Sequence, residues 1–117
     1  MKNLLVAVMA FMLFAGCCKS VDDKAVVALE QNIEVYNRAI EEIKNANSEE
    51  EIAAVVEHTA HSIDSLRETE EWKSYLSIAF SEDGINSEEI LNMQDTMREA
   101  ALEFSEILSE KIVSFIK

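Results

Sequence analysis

A chain of 117 residues that is 49% hydrophobic and 28% charged suits one small folded domain and excludes a disordered tail or a polytopic membrane protein. Its 23 acidic and 10 basic residues leave a formal net charge of −13. That field repels nucleic-acid phosphates, so no nucleic-acid partner is expected. Proline is absent and glycine occurs only at Gly16 and Gly84, which removes the turn chemistry of a many-stranded sheet and leaves an all-α reading.

The first element is an address. Lys2 precedes an unbroken apolar run from Leu4 to Phe14, too short to span a bilayer and of the length of a secretory hydrophobic region, followed by the small Ala15 and Gly16. Residues 1–16 therefore read as a signal peptide. The segment Leu13-Phe14-Ala15-Gly16-Cys17 resembles the lipobox of bacterial lipoproteins. That resemblance implies cleavage before Cys17, acylation of its thiol with a diacylglyceryl group, and attachment to an extracytoplasmic face of a bacterial membrane, with 17–21 as a short tether. Cys18 fits the pattern less well, because Cys17 rather than a small residue precedes it. A bridge between the two neighbours would be strained, since adjacent Cα atoms lie about 3.8 Å apart and disulfides need at least about 4.4 Å. No other cysteine exists, so the domain has to rely on its apolar core, and thiolate metal sites and cysteine catalysis have nothing to use.

Residues 22–117 read as a three-helix antiparallel bundle. Val26, Leu29, Ile33, Tyr36, Ile40 and Ile43 recur at alternating spacings of three and four, the seam of a helix beginning among the N-cap candidates Ser20, Asp22 and Asp23. Asn47-Ser48-Glu49-Glu50-Glu51 marks the next start, with Ser48 as cap and Glu51 three residues on to complete a capping box. The second helix carries Ile52, Val55, Val56, Thr59, Ile63 and Leu66 on one face. After the polar run 67–71, however, Trp72, Leu76, Ala79 and Phe80 form a stripe rotated by roughly 120° at 100° per residue. Either this helix kinks or breaks near Thr69, which can cap a new segment, or its second half faces another partner. Gly84 fits a left-handed C-terminal stop with Ile85 making the accompanying apolar contact. Asn86-Ser87-Glu88-Glu89 opens the last helix, whose stripe runs from Ile90 through Met93, Met97, Phe104 and Leu108 to Phe115. The expected core is Ile33, Ile40, Ile63, Leu66, Met97, Phe104 and Leu108.

No motif announces catalysis, and no cofactor or metal is expected. His58 and His61 lie three apart in a Glu-His-x-x-His-x-x-Asp run, but nothing else supplies the third and fourth ligands that zinc requires, and His61 falls nearly opposite the core face. Aligning Gly84 with the invariant glycine of a calcium loop puts Ala79 and Ile90 where carboxylates are needed. The glutamate runs at 49–51, 70–71 and 88–89 all sit at predicted helix starts, where acids favour the helix dipole. No Gly-x-Ser-x-Gly elbow and no glycine-rich phosphate loop is present.

The functional expectation is a non-enzymatic protein-interaction module, anchored to the membrane by its lipid and acting on a protein partner; a small-ligand or cation binder with a pocket between helices is the alternative. If the first two helices run antiparallel with equal rise, Asp22 lies level with residue 73 and the second helix overruns the first. The overhang makes Trp72, Tyr75, Leu76, Phe80, Ile85, Leu91 and Met93 the expected partner surface, unless the valines at 21, 26 and 27 or a kink at Thr69 close the gap. Lipidation is tested by mass spectrometry of the mature N-terminus: Cys17→Ala should leave an unprocessed, unacylated precursor, whereas Cys18→Ala should leave the lipid in place. An unmodified N-terminus on the wild-type protein would contradict the assignment.

Overall fold

A computed structural model describes residues 20–116; the signal peptide, Cys17 and Lys117 lie outside the described residues. There are four helices among them, α1 (Val21–Lys44), α2 (Glu49–Leu66), α3 (Glu70–Ala79) and α4 (Glu88–Ile116), and no strand. The all-α expectation holds. The expected three-helix bundle is corrected to four, because the second predicted helix is two helices separated by residues 67–69.

Each helix start is built by a hydroxyl. Ser20 Oγ accepts from the Asp23 N–H at 3.2 Å while the Asp23 carboxylate accepts from the Ser20 N–H at 3.4 Å, a reciprocal capping box. Ser48 Oγ accepts from the Glu51 N–H at 3.1 Å. The Glu51 carboxylate reaches one residue further back than the sequence suggested, to the N–H of Asn47 rather than that of Ser48. Ser87 Oγ accepts from the Ile90 N–H at 3.3 Å to open α4. Thr69 does two jobs: its hydroxyl donates to the Leu66 carbonyl at 2.7 Å, in the last turn of α2, and accepts from the Trp72 N–H at 3.2 Å, in the first turn of α3. Gly84 has the expected positive φ of 68°. It does not stop a helix, however, because α3 ends at Ala79; Gly84 instead closes a turn in which its N–H donates to Ser81 at 3.1 Å.

The chain runs up α1, back down α2 and α3, and up α4. Helix α1 packs most extensively against α4, then against α3 and α2, while α2 and α4 meet only sparsely. Two cores result. Around the N-terminal half of α1, Ala25, Ala28 and Leu29 pack with Tyr75 of α3 and Ile90 of α4. Around its C-terminal half, Ala39, Ile43 and Ala46 pack with Ile52 and Val55 of α2, and Phe104, Ile107 and Leu108 of α4 close the cluster. The buried Asn32 lies on α1 between the two, its Nδ2 donating to the Ala28 carbonyl at 2.8 Å. At the far end the Lys111 ammonium donates to the Ala46 carbonyl at 3.0 Å, tying α4 to the α1–α2 turn. A cation there also suits the negative end of the α1 dipole.

Of the expected core residues, Ile40 and Ile63 are buried, whereas Ile33, Leu66, Met97, Phe104 and Leu108 are only half-buried. The deepest large side chains are Leu29, Ile43 and Ile90, each 0% exposed. Truncating any of these three to Ala should cost about 2–5 kcal/mol in urea unfolding. Leu102→Ala on the exposed face of α4 should stay within about 0.5 kcal/mol, and Thr69→Ala should cost about 0.5–2 kcal/mol through the lost cap alone.

Candidate functional site

The expected partner surface is not an open face. Tyr75 is buried with Ala25, Ala28, Leu29 and Ile90, and Trp72, Leu76, Ile85 and Met93 are half-buried against the same cluster together with Val26. Trp72 and Tyr75 stack obliquely with ring centroids 5.0 Å apart. After the break at residues 67–69, α3 lies beside the first turns of α1, with Tyr75 packed on Ala25, Ala28 and Leu29, rather than standing as an uncovered overhang. Phe80, at 82% exposed, and Leu91 remain at the surface, but as single side chains flanking a filled core rather than the walls of a groove. Cys17 lies outside the described residues.

The other candidates are equally plain. His58 and His61 are both exposed on α2, and among the described residues no three His, Cys, Asp or Glu side chains come together as a metal cluster. Each glutamate run falls in the first turn of a helix. None of the described helices is long and apolar enough to cross a membrane.

What the fold does leave open is the space between α2 and α4. Both helices lean on α1 but hardly on each other, and the described chain is accordingly flat, with extents of 52 × 37 × 20 Å. Beside the C-terminal end of α1 the two flank a cavity of about 400 Å³. Its walls are Ile52, Ala53 and Val56 from α2 and Ile112, Phe115 and Ile116 from α4, with the carboxylates of Glu49 and Glu57 at the rim. Val56 also borders a shallower hollow of about 320 Å³ that runs toward the middle of the molecule past Ala60, Thr59 and Ile63, floored by Tyr36 and Phe104 and rimmed by Asp64 and Arg67. The two hollows form one groove along α2. The rings of Tyr36 and Phe104, 6.5 Å apart, brace its floor between α1 and α4.

The stripe reading of the last helix missed this groove, although one local signal bears on it. In α4 the stripe continues to Phe115, but Ile112-Val113 and Phe115-Ile116 are adjacent apolar pairs, and adjacent residues point about 100° apart. One packed face cannot absorb them all. Val56, Ile112, Phe115 and Ile116 are all exposed around the cavity, an apolar surface larger than scattered side chains account for.

Burial also leaves a titration signature in the other half of the molecule. Desolvation pushes the Tyr75 phenol above its ordinary value of 10.0, partly offset by the positive charge of Arg98. The neutral phenol is thus favoured in the folded state. Its contribution to stability is complete below the unfolded pKa and is lost as pH rises through the folded one. In a Tyr36→Phe background, ultraviolet titration should show Tyr75 ionising above pH 10.0, and Tyr75→Phe should be less sensitive than wild type to unfolding at high pH. No protein family matches this chain, and no curated protein or solved structure shows significant similarity to it.

Proposed function

We propose that this chain is a lipid-anchored, non-enzymatic helical module of a bacterial cell envelope, which holds a protein partner in the groove between α2 and α4. The observation that carries the reading is the groove itself, where hydrophobic side chains of two helices stand exposed beside each other without a third helix to cover them. Exposed apolar surface of that kind marks interaction sites. The anchor follows from the resemblance of Leu13–Cys17 to a lipobox. The tether joins the N-terminal end of α1, whereas the cavity wall residue Ile52 packs with Ala39, Ile43 and Ala46 at the other end, so most of that helix, about 36 Å long at 1.5 Å per residue, lies between them. A site held that far from the bilayer suits a soluble or extended protein partner. A small ligand is the weaker reading, because the cavity walls carry carboxylates only at the rim and no convergent polar groups to orient a small molecule.

Site-specific photocross-linking in intact cells tests this. A benzophenone side chain at Val56 or at Ile112 should give a discrete protein adduct. The same group at Glu34 or Arg38, on the exposed side of α1, should not. Adducts with lipid only, or the same adducts from all four positions, would remove the reading.

A further inference from the structure

The groove is long, apolar along its floor and acidic along one edge, and those three properties together restrict what fits it. Glu49, Glu57 and Asp64 follow one another along the groove side of α2 at intervals of eight and seven residues, two helical turns each, so the row spans about 22 Å. Between and below them Ala53, Val56 and Ala60 offer short apolar side chains, and α4 supplies the bulkier Ile112, Phe115 and Ile116 as the opposite wall. The cavity lining holds two carboxylates and, among the described residues, no cation. Further along, the guanidinium of Arg67 is 3.9 Å from the Asp64 carboxylate, leaving the edge at the wide end uncompensated.

Resting on the reading above, we infer that the occupant is an amphipathic helix of about 15 residues, with an apolar face and a flank of Lys or Arg spaced two turns apart. Apolar residues at i, i+4 and i+7 would seat over Ala53, Val56 and Ala60 in the manner of a helix laid in a hydrophobic groove. The flanking cations would face Glu49 and Glu57 at the wide end, speeding encounter and setting the orientation. A second copy of this chain is the wrong charge: two molecules of formal charge −13 would meet along acidic rims. An anionic membrane surface is disfavoured for the same reason, and the cavity lies at the end of α1 remote from the tether.

The experiment uses the full chain in phosphatidylcholine nanodiscs, with empty nanodiscs subtracted. The probe is a fluorescein-labelled amphipathic peptide of about 15 residues with Leu at the helical apolar positions and Lys along one flank. Two controls accompany it: the same peptide with Glu in place of Lys, and a Lys peptide with its Leu positions scrambled. Anisotropy should show saturable binding of the first peptide, about tenfold or more tighter than of either control, and weakening as NaCl rises. Val56→Asp and Ile112→Asp should each weaken it about tenfold or more; these side chains are 38% and 43% exposed in wild type, and unchanged circular dichroism verifies the fold. Glu57→Lys should reduce both affinity and salt dependence, and Phe80→Asp, at the other end of the molecule, should change nothing.

Equal binding of the Lys and Glu peptides, or indifference to Val56→Asp and Ile112→Asp, would overturn the inference. So would self-association in sedimentation that those two substitutions abolish, which would make a second copy the occupant. Cross-linked adducts at Val56 and Ile112 that the Lys peptide cannot displace would leave the interaction module standing and refute only this partner chemistry. Failure of both the cross-linking and the peptide would remove both.

Discussion

One hydroxyl decides how the return leg of this molecule covers its first helix. Thr69 Oγ1 closes the end of α2 by donating to Leu66 and opens α3 by accepting from Trp72. Helix ends leave several backbone groups without partners, and a break inside an otherwise continuous helix doubles that burden. Thr69 serves both sides: its N–H and its hydroxyl both donate to the Leu66 carbonyl, and the hydroxyl also accepts from the Trp72 N–H, which keeps the break supplied with hydrogen bonds. The apolar face is then free to rotate: Ile52, Val55 and Ile63 meet one half of α1, while Tyr75 meets the other. A continuous helix would have pointed one of those stripes at solvent.

The second consequence concerns α1, which becomes the shared wall of the domain. With three helices packed around it, its buried surface extends well beyond a single stripe and includes Ala25, Ala28 and Ala39 as well as Leu29, Ile40 and Ile43. Small side chains at such positions let neighbouring helices approach closely. The two apolar clusters are divided on α1 by Asn32, whose amide is held by the Ala28 carbonyl, so a buried polar group keeps a hydrogen bond rather than standing exposed to an apolar core. Beside it the Gln31 Oε1 is buried without a hydrogen-bond partner.

Because α2 and α4 are both held by α1, neither needs the other, and their free edges define the groove. The same arrangement separates the two ends of the molecule chemically. The end nearest the proposed lipid tether has a well-filled core containing Trp72, Tyr75 and Ile90. The distal end has exposed Ile112, Phe115 and Ile116 and a carboxylate edge. With the proposed anchor at one end, the apolar, negatively flanked cleft at the other would hold a partner at a distance from a membrane. On that reading the strong net negative charge would have a role beyond solubility, in selecting positively charged partners and excluding further copies of the chain.

Composition and local chemistry were sufficient for the helical class, for the starts at Ser48 and Ser87 and for the positive φ at Gly84, and they offered Ser20 and Thr69 as candidate caps, because each depends on residues within one or two turns. The lipobox resemblance is local in the same way. The burial of Tyr75 was decided by tertiary structure alone: it depends on where the break at 67–69 sets α3 against α1, and an assumption of uniform rise placed Tyr75 beyond the end of that helix, with Trp72 at the edge. Periodicity also ranks a residue by its own hydrophobicity, so Ala25, Ala28 and Ala39 passed as neutral, although having three neighbours makes them core. The groove belongs to the same class. Val56 and Ile112 carry ordinary core side chains, and they stand exposed only because the third dimension puts no helix over them.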